Sequence, residues 1–125
     1  MTLTVRPLRA EDYPQWRPLW DGYTHFYECY LDESVTAATW DRALADSSPL
    51  FCRVVEKDGN VIGFAMCVLH EGTWSTAPVC YLKDLFVDAA ERGAGAGKAL
   101  IDALIDEGKR EGWSKLYWVT RKIGR

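Results

Sequence analysis

The chain has 125 residues, enough for one domain with a buried core and too few for two. Apolar residues make up 48% and charged residues 26%, a balance that excludes a disordered chain, and no apolar run approaches the roughly 20 residues that a bilayer span requires. The net charge of −3, with no dominant basic cluster in the body of the chain, argues against nucleic-acid binding.

Residues 2–8, TLTVRPL, alternate as a short first strand that Pro7 confines to an edge or an end. This opening lacks both the apolar core of a secretory signal and the Arg/Ser-rich character of a transit peptide, so a cytoplasmic protein is expected. The next stretch, EDYPQWRPLWDGYTHFYECY, sets Trp16, Leu19, Trp20, Tyr23, Tyr27 and Tyr30 at steps of three and four, a helical stripe of high aromatic content. Pro18 predicts a kink or a start for that helix. The stripe reads first as core. Its far end, Tyr27, Glu28 and Tyr30, reads also as the wall of a cleft, because aromatic rings and a carboxylate suit a cationic amine.

A second helix is predicted over SVTAATWDRALAD, with Ser34 as N-cap and Val35, Ala38, Trp40 and Leu44 on neighbouring faces. The period then changes to that of strands. LFCRVVEK and VIGFAMCVLH flank Asp58-Gly59, a strong hairpin signal, and VCYLKDLFV follows after a loop. Leu100, Ile101, Leu104 and Ile105 mark a third helix that Gly112 stops, and KLYWVT is a last strand. The order is β, α, α, β, β, β, α, β, in one domain spanning 1–125. The four cysteines show no C-x-x-C pair and only two histidines accompany them, so no metal site is expected. Arg121, Lys122 and Arg125 read as a solvated basic end.

Between the strand VCYLKDLFV and the third helix lie Gly93, Gly95 and Gly97. Glycines at a helix N-terminus expose backbone N–H groups that lack intrahelical acceptors, at the positive end of the helix dipole. Such a turn is an anion site where a phosphate can approach bare main chain. A Walker loop is excluded, because it needs glycine at 92 and Ser or Thr at 99, where Arg92 and Ala99 stand. A Rossmann fingerprint counted from Gly93 needs its third glycine at Lys98. The pattern that remains is R-x-x-G-x-G, formed by Arg92, Gly95 and Gly97.

With that motif, and with CYLKDLFVDAAERGAGAGKALIDAL around it, the chain resembles the GNAT superfamily of acyl-CoA-dependent N-acetyltransferases. The run HEGTWSTAPVCYLKDLFVD is similar to the branch holding spermidine/spermine and yeast-type histone or polyamine acetyltransferases. The resemblance implies an α/β (α+β) fold with a mixed, mostly antiparallel sheet, two N-terminal helices and one helix after the central strand. It implies acetyl-CoA as cofactor, with its pyrophosphate held by Arg92, Gly93, Ala94, Gly95, Ala96, Gly97 and Lys98. Leu85, Phe86 and Val87 would pair their main chain with the pantetheine arm, whose two amides an exposed strand edge satisfies. A backbone N–H near Val87 would polarise the thioester carbonyl.

Acetyl transfer to an amine needs a neutral nucleophile, a donor for the developing oxyanion and a proton for the departing thiolate. The family strand typically reads Y-L-E-D, and its glutamate is here Lys83, which leaves Asp84 as the candidate base. Simple strand alternation turns Asp84 to the face opposite residue 83; a β-bulge would change this. Tyr27 and Glu28 are the candidate substrate contacts. The family also continues past KLYWVT with a helix carrying a Tyr general acid, so the chain reads as C-terminally truncated, and its open strand edge predicts a homodimer. The expected activity is acetylation of a polyamine, small amine or lysine-like group, on a small molecule or basic peptide, by direct attack in a ternary complex. The alternative is a CoA-binding domain without turnover.

Overall fold

In the computed structural model, which describes residues 2–119, Asp58 and Gly59 take φ of 54° and 84°. Two successive positive φ values make a type I′ turn, whose twist matches that of the strands it joins. The hairpin closes strands β2 (Leu50–Lys57) and β3 (Asn60–His70), and β1 (Leu3–Pro7) and β4 (Val79–Val87) flank it. The sheet order is β1-β2-β3-β4-β5, antiparallel throughout except that β5 (Lys115–Tyr117) runs parallel to β4. Thr120, Arg121, Lys122 and Arg125 lie outside the described residues.

Strand alternation gives the sheet two apolar faces. On one, Val54, Phe64 and Met66 pack against Trp16, Leu19 and Trp20 of α1 (Tyr13–Phe26). On the other, Val55, Ala65, Cys67, Cys80 and Leu82 pack against Leu100 and Leu104 of α3 (Ala96–Glu111). Gly112 ends α3 with φ 77°, in the left-handed C-cap conformation that favours glycine.

Three expectations change. Helix α1 runs through Pro18 rather than starting there, and it ends at Phe26. Glu28 at φ 53° and the bond from Cys29 N–H to Thr24 O turn the chain away, which leaves Tyr30 75% exposed and outside the apolar stripe. Helix α2 (Glu33–Leu44) is capped by Asp32, not Ser34; the Asp32 carboxylate accepts from the Ser34 N–H at 3.0 Å. Its buried positions are Thr36 and Thr39, whereas Val35 is exposed.

One buried ion pair ties β1 to the turn before α1. Arg6 donates to both oxygens of Asp12, at 2.9 and 2.8 Å, and also pairs with Glu56 of β2. The guanidinium beside Asp12 holds that carboxyl below its ordinary range. Arg6→Ala strands a carboxylate that is 4% exposed and is expected to cost about 3–5 kcal/mol in urea unfolding at pH 7. Because the folded Asp12 pKa is lowered, its share of that difference is present above the unfolded value of about 3.9 and is lost as pH falls through the folded one. A difference that persists undiminished at low pH would show that Asp12 is not what Arg6 stabilises.

Candidate active site

Strands β4 and β5 pair only from Val79 to Tyr81. Beyond Tyr81, no described strand covers Leu82–Val87 on that side, so this part of β4 presents main-chain N–H and C=O groups along a free edge. The strand then passes through a 3-10 turn at Ala89–Glu91 into the glycine loop and α3.

Gly93 and Gly95 have φ of 91° and 86°, and a Cβ built on either meets no atom within 4 Å. The two glycines are therefore demanded by backbone conformation, and the space above them is open. Gly95 is the N-cap of α3, and the first helical bond runs from Ala99 N–H to Gly95 O at 2.9 Å. The N–H groups of Ala96, Gly97 and Lys98 precede it and have no acceptor within the helix. The geometry fits a diphosphate: several converging amides, a positive dipole end and no side chain in the way.

A groove of about 630 Å3 joins the two features, lined by Leu85, Phe86 and Val87, by Arg92, Gly93 and Gly95–Gly97 of the loop but not Ala94, and by Tyr23, Phe26 and Tyr27 at and just past the end of α1. Arg92 folds along it. Its Nε donates to Val87 O at 3.1 Å and its guanidinium lies 5.2 Å from the Phe86 ring centre. The Lys98 ammonium pairs with Asp102 at 2.6 Å across one exposed turn of α3.

The β-bulge is present. Met66 faces Asp84 and Cys67 faces Leu82, so Lys83 has no opposite residue. The inserted residue breaks the alternation. Leu82 and Leu85 consequently both pack toward α3, while Asp84 joins Phe86 on the α1 side. There the Tyr23 hydroxyl donates to Asp84 Oδ1 at 2.5 Å, and Lys83 Nζ lies 3.9 Å from the same oxygen. The Asp84 side chain is 13% exposed, and burial raises its carboxyl above the ordinary range against the opposing pull of Tyr23 and Lys83.

Asp84 lines a second cleft of about 530 Å3 with Lys83, Tyr23, Tyr27, Arg42 of α2 and apolar residues including Leu31, Leu50 and Val68. Tyr23 and Tyr27 border both cavities, so cleft and groove meet beside Asp84. Glu28 lies on the exposed turn after α1 and lines neither. The stripe pattern placed Tyr23 in the core and missed that its hydroxyl reaches Asp84. Arg42 gave no signal, since the charged outer face of a helix looks the same whether or not it borders a cleft.

A splayed parallel strand, a bare amide cradle at its end and a buried carboxylate between two joined cavities define an acyl-CoA-dependent transferase. Residues 8–123 match the acetyltransferase (GNAT) family, and the chain belongs to that family. It is 28% identical over 120 residues to the D-amino-acid N-acetyltransferase HPA3 of Saccharomyces cerevisiae, covering 94% of this chain and 74% of the yeast protein. The fold is similar to that of a ribosomal-protein-alanine N-acetyltransferase from Brucella melitensis biovar Abortus 2308, with TM-score 0.83, 23% identity, and coverage of 98% of this chain and 84% of that one. It is also similar to AAC(6')-Iy in complex with the bisubstrate analogue CoA-S-monomethyl-acetylneamine, with TM-score 0.78, 23% identity, and coverage of 99% and 83%. The chain is thus an acetyl-CoA-dependent N-acetyltransferase by family, and its sheet and helices are those of the GNAT fold.

Proposed function

We propose that the chain transfers an acetyl group to a primary amine by direct attack within a ternary complex, with Asp84 as the base. The observation that carries this reading is the junction of groove and cleft at Asp84, with Tyr23 and Tyr27 shared between them. Acetyl-CoA supplies the activated acetyl group as a thioester. The amides from Gly93 to Lys98 would hold its diphosphate, and the strand edge of Leu85–Val87, where Arg92 Nε now donates to Val87 O, would take the pantetheine amides.

Asp84 accepts a proton from the amine, which at neutral pH is mostly protonated and not nucleophilic. Burial raises the basicity of Asp84, and the Tyr23 bond fixes the direction of its carboxylate. The indole and phenol rings of Trp20, Tyr23 and Tyr27 keep the cleft partly dry around that carboxylate. A single sheet that takes in all five described strands, with helices packed on both faces, supports one domain. Trp118 and Val119, exposed just after the open-edged β5, support a homodimer.

The relatives are named for acceptors as different as a D-amino acid and the alanine of a ribosomal protein, so they share an amine nucleophile and little else. The test is a mixing experiment. Direct attack requires that acetyl-CoA alone release no CoA in a first turnover, and that release begin only when an amine is added. A stoichiometric burst without amine would place a covalent acetyl-enzyme on the path and overturn the reading.

A further inference from the structure

The charges lining the cleft are not those of a site for polycations. Asp84 is its single carboxylate, and Lys83 and Arg42 line the same cleft. Lys83 is 55% exposed and its only ion pair among the described residues is the long one to Asp84, at 3.9 Å. Arg42 donates to its own helix, with Nε to Ala38 O at 3.3 Å and Nη2 to Thr39 Oγ1 at 3.4 Å, and pairs with no carboxylate among the described residues. The acids nearby in sequence are engaged or turned away. Glu33 is paired with Arg17, Asp32 caps α2, and Glu28 lies outside the cleft.

A polyamine or basic peptide would bring two or more cations to a cleft that already holds two. An amine that carries its own carboxylate meets complementary charge at both ends. The scale also agrees: Lys83 Nζ and Asp84 Oδ1 are 3.9 Å apart, and in an α-amino acid only two bonds of about 1.5 Å separate the nitrogen from the carboxyl carbon. Building on the acetyl-transfer reading above, we propose that the acceptor is an α-amino acid whose amine is directed to Asp84 and whose carboxylate is held by Lys83 and Arg42. Its side chain lies along Leu31, Leu50 and Val68, which selects aliphatic or aromatic amino acids.

The test uses matched acceptors: leucine against isopentylamine, phenylalanine against phenethylamine, and spermidine, with CoA release as the readout. With each acceptor's concentration expressed as its free amine at the assay pH, the wild type is expected to favour each amino acid over its decarboxylated partner by roughly tenfold or more, chiefly in KM, as loss of a charged hydrogen-bond pair implies. Lys83→Glu should lower that ratio by roughly 10- to 100-fold and raise the relative rate with spermidine. The added charge at residue 83 also perturbs Asp84, but it does so for both members of a pair and cancels in the ratio. Arg42→Ala should lower the ratio in the same direction. A wild type that prefers isopentylamine or spermidine, or a Lys83→Glu ratio equal to that of the wild type, overturns the proposal while leaving acetyl transfer intact. Acetyl-CoA binding without acetylation of any acceptor overturns the acetyl-transfer reading, and this proposal with it.

Discussion

Gly95→Val is expected to weaken acetyl-CoA binding by on the order of 100-fold or more, because two effects act together. At φ 86° a β-branched residue is strained by about 1–3 kcal/mol, so the loop is driven out of the conformation that aims its amides. Whatever conformation remains, a branched side chain then projects into space that is open in the native loop, with no atom within 4 Å of the added Cβ. Each amide that loses a phosphate oxygen forfeits about 1.5–3 kcal/mol. Gly112→Val separates the two effects. It carries the same kind of backbone conflict, at φ 77°, but at the opposite end of α3. Its Tm should fall comparably while its affinity for acetyl-CoA stays within a few-fold of wild type. Retained affinity in Gly95→Val would refute the assignment of the loop.

Asp84→Asn should lower kcat/KM by about 10²–10⁴ at neutral pH, the usual range for loss of a positioned base. Asparagine still accepts from Tyr23 and fills the same volume, so the change removes a proton acceptor and little else. The loss should shrink as pH rises, because an amine that solution has already deprotonated needs no base. In the wild type, activity requires the carboxylate form of Asp84. Its pKa is raised by burial, so the acidic limb of the pH profile should lie above the ordinary value of about 3.9. Tyr23→Phe removes a hydrogen bond that favours the charged form, which raises that pKa further and moves the limb to higher pH. If Asp84→Asn is impaired equally at every pH, Asp84 is a structural acid.

The hairpin, the third helix and the glycine turn before it were legible because each is dictated locally. Asp58-Gly59 and Gly112 mark backbone conformations that other residues rarely take, and the bounds 50–57, 79–87 and 96–111 follow from them and from apolar periodicity. The family, too, was readable from residues 80–104, where motif and context coincide. The orientation of Asp84 was not. Its direction depends on the bulge at Lys83, and a bulge is a mismatch between two strands that neither strand announces alone. The helix-end correction has a similar cause. The spacing of Tyr27 and Tyr30 continues the stripe, but the left-handed Glu28 and the Cys29 to Thr24 bond end the helix before that spacing can act. The cleft charges escaped notice for a third reason: Arg42 and Lys83 are 41 positions apart and become neighbours of one cavity only after α2 packs on the sheet.

The most direct test of the account is a calorimetric titration of the chain with acetyl-CoA and, in parallel, with S-acetylpantetheine, which keeps the thioester and both amides but lacks the diphosphate and the nucleotide beyond it, with 3′-phosphoadenosine added to the second titration to supply the nucleotide contacts. The glycine loop predicts clear binding of acetyl-CoA and affinity lower by at least two orders of magnitude for the truncated thioester. Equal affinity for the two ligands, or no binding of either, would contradict it.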